Sequence, residues 1–129
     1  MNGQHALEVY ADDTLIFHSD GKWLYPLFEL ERFLATAGRD PATLTARDKI
    51  VGRAAALLMV RLGIGRVFAG LLSEPGKEAL EHFGVPYACE RLVERISCRT
   101  EEILRDEYDL ERAYRILRER ANLSNAKQG

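Results

Sequence analysis

Asp48-Lys49-Ile50-Val51-Gly52-Arg53-Ala54-Ala55-Ala56-Leu57-Leu58-Met59 is the stretch on which the fold of this chain turns. It is apolar almost all round, yet it opens on three charges. The spacing predicts a single helix of the kind that belongs in a core, with Thr45 as its N-cap and Asp48 at the third helical position as a short capping box. Gly63 or Gly65 ends it. On a helical wheel Asp48, Lys49, Gly52 and Arg53 share one sector, followed a turn later by Ala56. Ile50, Val51, Ala54, Leu57 and Leu58 cover the rest. A polar corner on so apolar a rod is placed rather than scattered, and this makes it the candidate site.

Upstream, Leu7 to Ala11 and Thr14 to His18 alternate apolar and polar residues around Asp12-Asp13, the pattern of a tight antiparallel hairpin. Pro26 to Ala37 carries Leu27, Leu30, Phe33 and Leu34 at helical spacing, with Gly38 just past its end. Gly38 to Thr45 reads as a loop. Downstream, Arg66 to Ser73 has the character of a buried strand, and Ser73 caps a helix from Glu74 to Phe83 that Gly84 ends. Val85 to Cys89 reads as the next strand. Two strands joined by one such helix form a crossover and lie parallel side by side, so the sheet is mixed. Leu92 to Ile96 reads as a turn of helix. Leu110, Ala113, Tyr114, Leu117 and Ala121 then recur at helical spacing with Asp109 as cap.

The 129 residues, 47% of them apolar, fit one domain spanning 1–129, with a helical extension from about 100 and a frayed tail over 122–129. Eighteen basic against twenty acidic side chains leave a formal charge of -2, which gives no global field for nucleic acid or anionic lipid. No apolar run reaches the roughly 18 residues of a membrane span, and the chain opens without a leader-like pattern. The expectation is a cytoplasmic protein. Cys89 and Cys98 read as reduced, buried thiols with no disulfide.

The run Arg47-Asp48-Lys49-Ile50-Val51-Gly52-Arg53-Ala54-Ala55-Ala56-Leu57-Leu58, followed by Gly63 and Val67-Phe68-Ala69, resembles a small prokaryotic family, domain of unknown function 1893 (DUF1893). Echoes are Asp20-Gly21-Lys22 before Pro26-Leu27, and Leu92-Val93 followed by Ile96 and Arg99. The resemblance covers roughly residues 5 to 100. It implies an α/β fold of the cytidine deaminase-like kind, a three-layer α/β/α sandwich with a mixed sheet, and the order of elements agrees. From Arg99 the chain departs, holding Thr100-Glu101-Glu102-Ile103 where a Cys-Pro-Met-Glu-like segment is expected of such relatives.

A zinc deaminase needs His-x-Glu at the start of its buried helix and Pro-Cys-x-x-Cys at the start of the next. Here the first slot holds Asp48-Lys49-Ile50 and the second Ser73-Glu74-Pro75-Gly76-Lys77, without an imidazole or thiolate. His5, His18 and His82 lie far apart in the sequence and read as isolated. No metal and no cofactor is expected, and the chain is not a zinc-dependent deaminase.

The cations Arg47, Lys49 and Arg53 stand at the positive end of the expected helix, each costing about 0.3–1 kcal/mol unless something negative is near. Two readings remain open for this corner. In one, a small anionic or nucleotide-like metabolite is bound by Asp48, Lys49, Gly52, Arg53 and Arg99, with Gly52 allowing close approach. In the other, Asp48 caps the helix and pairs with Arg53 or Arg99. An enzyme is a further alternative, with Lys49 as base or imine-forming amine oriented by Asp48. So is a non-catalytic module that self-associates as a homo-oligomer through its central or C-terminal helix.

Overall fold

In the computed structural model, which describes residues 5–96 and 99–128, the hairpin forms around the Asp12-Asp13 turn. β1 (Leu7–Ala11) and β2 (Thr14–Ser19) pair antiparallel. Asp12 takes a φ of 53°, a left-handed value that a short polar side chain tolerates. α1 (Tyr25–Ala37) carries Pro26 in its first turn and ends on Gly38 at φ 68°. Its Pro26, Leu27, Phe28 and Leu30 are buried. Both elements follow from local signals alone.

The central stretch departs from its expected form. Asp48 to Val51 is not the start of a helix but the end of a strand, β3 (Leu44–Val51), which follows a short 3-10 turn over Pro41–Thr43. The helix α2 (Arg53–Leu62) begins only after Gly52, its N-cap. The reason is tertiary. β3 lies between two partners, pairing antiparallel with β1 as far as Asp48 and parallel with β4 (Arg66–Ser73) as far as Val51, so β4 carries the ladder through the last residues of the stretch. Strand pairing overrides the helical pattern of the sequence. Gly63, at φ 83°, ends α2 as expected.

β4 leads through α3 (Glu74–His82) to β5 (Tyr87–Val93), and the two strands lie parallel and adjacent, as the crossover requires. Leu92 and Val93, expected as a helical turn, belong to β5 and pair with Leu72 and Ser73. α4 (Arg99–Ile103) and α5 (Leu110–Gln128) complete the chain. Asp109 caps α5, its carboxylate accepting the N–H groups of Glu111 and Arg112 at 3.1 and 3.0 Å. The protein is thus of the α/β class, with a mixed five-stranded sheet in the order β2-β1-β3-β4-β5. Cys98 and Gly129 fall outside the described residues, and with them the reading of Cys98 as a buried thiol. Cys89 is a free, partly buried thiol.

α2 is apolar all round because it is surrounded. It touches each of the other four helices, and α5 packs on it rather than on the strands. Ala54 to Met59 are all buried, and Leu104, Ala113, Leu117 and Ala121 from the C-terminal part join the same core. Fully burying a side chain such as Leu57 contributes about 1.5–3 kcal/mol, so the C-terminal helices stabilise α2 directly.

Burial along β3 and β4 alternates through Leu44, Ala46, Val67 and Ala69 and then resumes at Val51 and Leu72, one position out of phase. The slip falls at Gly70, where a Cβ would lie 2.7 Å from the Lys49 carbonyl oxygen. It leaves Ile50 54% exposed. Among the described residues no helix is long and apolar enough to cross a membrane.

Candidate functional site

β3 and β4 run parallel and end side by side, Val51 beside Leu72. Each passes directly into a helix, so the starts of α2 and α3 meet at one end of the sheet. Open α/β sheets bind ligands at the carboxyl ends of their strands. Two glycines let the helix starts touch. A Cβ on Gly76 would lie 3.1 Å from the carbonyl carbon and oxygen of Gly52 and from the Val51 oxygen. Ser73 caps α3 as expected, its hydroxyl accepting the Gly76 N–H at 3.0 Å. The start of α2 thus holds Gly52, Arg53 and Ala54, and that of α3 holds Pro75 and Gly76. Neither offers zinc an imidazole or a thiolate, so these residues do not fit the metal of a deaminase.

A negative group stands at the start of α2, and the chain itself supplies it to the backbone N–H groups there. Glu101, on α4, is 7% exposed. Its Oε2 accepts the backbone N–H of Arg53 at 2.7 Å and the Ser73 hydroxyl at 3.2 Å, and its Oε1 accepts the N–H of Ile96 at 2.8 Å. A Cβ on Gly52 would stand 2.7 Å from that Oε2, so glycine is what lets the carboxylate seat against the helix. An anion at a helix N-terminus is stabilised by the free N–H groups and the dipole together. Here that place is taken by a carboxylate 48 residues further along the chain than the helix it caps.

Asp48 therefore does not cap α2 or pair with Arg53. It sits on β3, level with Leu7 on β1 and Ala69 on β4, and its Oδ1 accepts the Ile50 N–H at 3.3 Å. Burial pushes its carboxyl up to about 7, against backbone hydrogen bonds from Ile50 and Lys49 that lower it. Lys49, the next residue, is exposed.

Arg53 is not a solvent-facing corner but a fully buried rivet. Its Nε donates to the Leu104 carbonyl at 2.5 Å, Nη1 to that of Pro75 at 3.1 Å, and Nη2 to that of Glu107 at 2.7 Å. Nη1 also reaches Glu78 at 3.4 Å, and the guanidinium lies 4.8 Å from the centre of the Tyr108 ring. Tyr108 in turn donates its hydroxyl to Glu78, a bond that holds the Glu78 carboxyl below its usual range, with Arg53 adding to the effect. One side chain of α2 thereby fixes the start of α3 and the turn between α4 and α5.

In front of this junction lies an open cleft of about 620 Å³. Pro75 and Ile96 form part of its wall, Glu101 is set into it, and Arg95, Arg99 and Arg105 line it together with Glu94 and Glu102. Among the described residues none of the three arginines forms an ion pair, a state they share with several surface arginines elsewhere. Of the residues expected at the site, the structure brings Gly52, Arg53 and Arg99 to this end of the sheet. Asp48 and Lys49 stand on β3 and do not line the cleft. Sequence reasoning missed Glu101, Arg95 and Arg105. Their only signal is the density of charge between Glu94 and Arg105, without apolar period.

A second cluster lies on the hairpin. His5 and His18, read as isolated, stack with ring centres 4.0 Å apart, and Asp20 joins them. His82 stays apart, against Phe83 and Tyr108.

Comparison with known proteins gives the family and a likeness of fold. Residues 2–121 match the model of a family described as TM1506, domain of unknown function (DUF1893). A solved structure of a DUF1893 family protein (TM1506) from Thermotoga maritima is similar to this chain with a TM-score of 0.77 and 22% identity, over 89% of this chain and 80% of that one. At that identity the likeness is one of fold. No curated protein matches the sequence.

Proposed function

The chain belongs to the DUF1893 family, and on that premise we propose that it binds a small anionic metabolite, carrying phosphate or carboxylate groups, in the cleft before α2 and α3. The observation that carries this reading is the set of three arginines, Arg95, Arg99 and Arg105, that line one cavity of about 620 Å³ and have no ion-pair partner among the described residues. Small-molecule sites commonly occupy about 300–1,000 Å³. A guanidinium presents a planar fork that matches phosphate or carboxylate two bonds at a time. Three such forks around one space are complementary to an anion.

Two features narrow the ligand. Glu101 already holds the N–H of Arg53, so the anion rests on side chains rather than on the helix start. The three glutamates of the lining offset the three arginines, which favours a compact ligand of low charge over a polyanion such as nucleic acid. Lys49 and Asp48 lie outside the lining, so catalysis through an imine on Lys49 finds no support in the geometry.

The test is thermal melting with inorganic phosphate, pyrophosphate and a nucleoside monophosphate. A ligand that binds only the folded state raises stability by RT ln(1 + [L]/Kd), about 2.7 kcal/mol at one hundred times Kd. The stabilisation is expected to vanish in the double variant Arg99→Ala, Arg105→Ala and to persist in Lys49→Ala. Absence of stabilisation by every one of these anions, at matched ionic strength, refutes the reading.

A further inference from the structure

We infer that His5, His18 and Asp20 form a binding site for a divalent transition metal of the zinc type, separate from the cleft, that clasps the open end of the hairpin. The three residues each place one ligand atom such that all lie within 4.8 Å of one another. None of them lines the cleft.

The geometry follows from the register of the hairpin. Leu7 pairs with Ser19 and Glu8 with His18, so the residue positions just outside the ladder, His5 and Ala6 on one side and Asp20 on the other, face each other. Asp20 bridges them. Its Oδ1 accepts the Ala6 N–H at 3.3 Å and its Oδ2 accepts the His5 Nδ1–H at 2.8 Å. The His5 ring then lies over that of His18, the two planes inclined by only 18°. Thirteen residues separate the histidines in the chain, and the antiparallel turn of the hairpin removes that distance.

Two imidazoles and one carboxylate are the donor set of open zinc sites and of related non-haem metal centres. Zinc stands about 2.0–2.2 Å from nitrogen and oxygen ligands, so the ligand atoms must draw in from the spacing they have without an ion. His18 and Asp20 are exposed, so no packed neighbour holds their far sides in place. The hydrogen bond from Ala6 orients the carboxylate, the service that outer-shell groups perform for metal ligands. Remaining coordination positions face solvent. β2 is an edge strand of the sheet, and a metal here ties its end to the segment that leads into β1.

The experiment is titration of untagged protein with Zn²⁺ by calorimetry, and with Co²⁺ by visible absorption, on the parent chain and on His18→Ala, Asp20→Asn and His82→Ala. The expected result is one equivalent of Zn²⁺ and visible Co²⁺ bands in the parent and in His82→Ala, both lost in His18→Ala and in Asp20→Asn. All variants alter exposed or half-exposed side chains, and a circular dichroism spectrum confirms that each is folded. No binding by the parent, or binding retained in either His18→Ala or Asp20→Asn, overturns the assignment.

Discussion

Replacing Arg53 with methionine tests the claim that this side chain joins α2, α3 and the α4–α5 turn. The guanidinium is fully buried and makes three hydrogen bonds to carbonyls and one to a carboxylate. Hydrogen bonds to a charged group contribute about 1.5–3 kcal/mol each, a gross sum of roughly 6–12 kcal/mol. Against this stands the desolvation of the guanidinium itself, several kcal/mol, which the substitution relieves. Methionine fills much of the same volume but leaves the carbonyls of Leu104, Pro75 and Glu107 without their donor. The contact to Leu104 is buried, while those to Pro75 and Glu107 are partly so and can reach water. Removing one partner from a buried charged arrangement costs about 3–5 kcal/mol, and that is the expected loss, a large share of the roughly 5–15 kcal/mol that holds a domain folded. The assay is urea unfolding followed by the fluorescence of Trp23, the single tryptophan, together with far-ultraviolet circular dichroism. Amide exchange in 104–107 should accelerate more than elsewhere. Arg53→Lys should recover less than half the loss, because one ammonium cannot reach three divergent carbonyls. A loss below about 1 kcal/mol with an unchanged urea slope would show that the rivet is dispensable and refute the reasoning.

Two further substitutions probe the same junction and its neighbour. Asp48 has a carboxyl raised to about 7 in the folded protein, so the folded state holds a proton that the unfolded chain releases near its ordinary value of about 3.9. Stability from this group is therefore full below that value and falls as pH rises toward about 7. A shift of this size corresponds to about 4 kcal/mol, which the residue's partial exposure reduces to roughly 1–2 kcal/mol. Asp48→Asn should abolish the decline and be the more stable protein at pH above about 7, as read by urea unfolding across that range; parallel pH curves for the two proteins would contradict this. Gly76→Ala should lower stability by about 1–3 kcal/mol, because the new methyl meets backbone rather than a flexible side chain. Thermal melting checks it, and an unchanged midpoint would mean that the two helix starts separate freely.

Much of the fold was legible because its signals are local. Asp12-Asp13 between alternating strands, Pro26 and Gly38 around α1, Ser73 before α3, Gly63 after α2 and Asp109 before α5 each act within a few residues. The error at Asp48 to Val51 has the opposite cause. Those four residues carry a pattern compatible with a helix, and pairing with distant strands holds them extended, β1 from far upstream at Asp48 and β4 from downstream as far as Val51. In β3 the residues Thr45, Ile50 and Val51 are β-branched, a weaker local signal than the helical pattern of the alanine run that follows.

By itself the sequence determined that a buried, small-residue helix would belong to the core of an α/β domain with a mixed sheet, and that the charged residues before it would need negative charge nearby. Which group answers that need was decided by the tertiary structure alone. Glu101 reaches Arg53 across 48 residues, His5 meets His18 across a hairpin, and Arg95, Arg99 and Arg105 share one cleft. Charge and hydrogen bonding act through space over a few ångströms, and a chain brings distant residues within that range only once its backbone has been folded by burial and pairing.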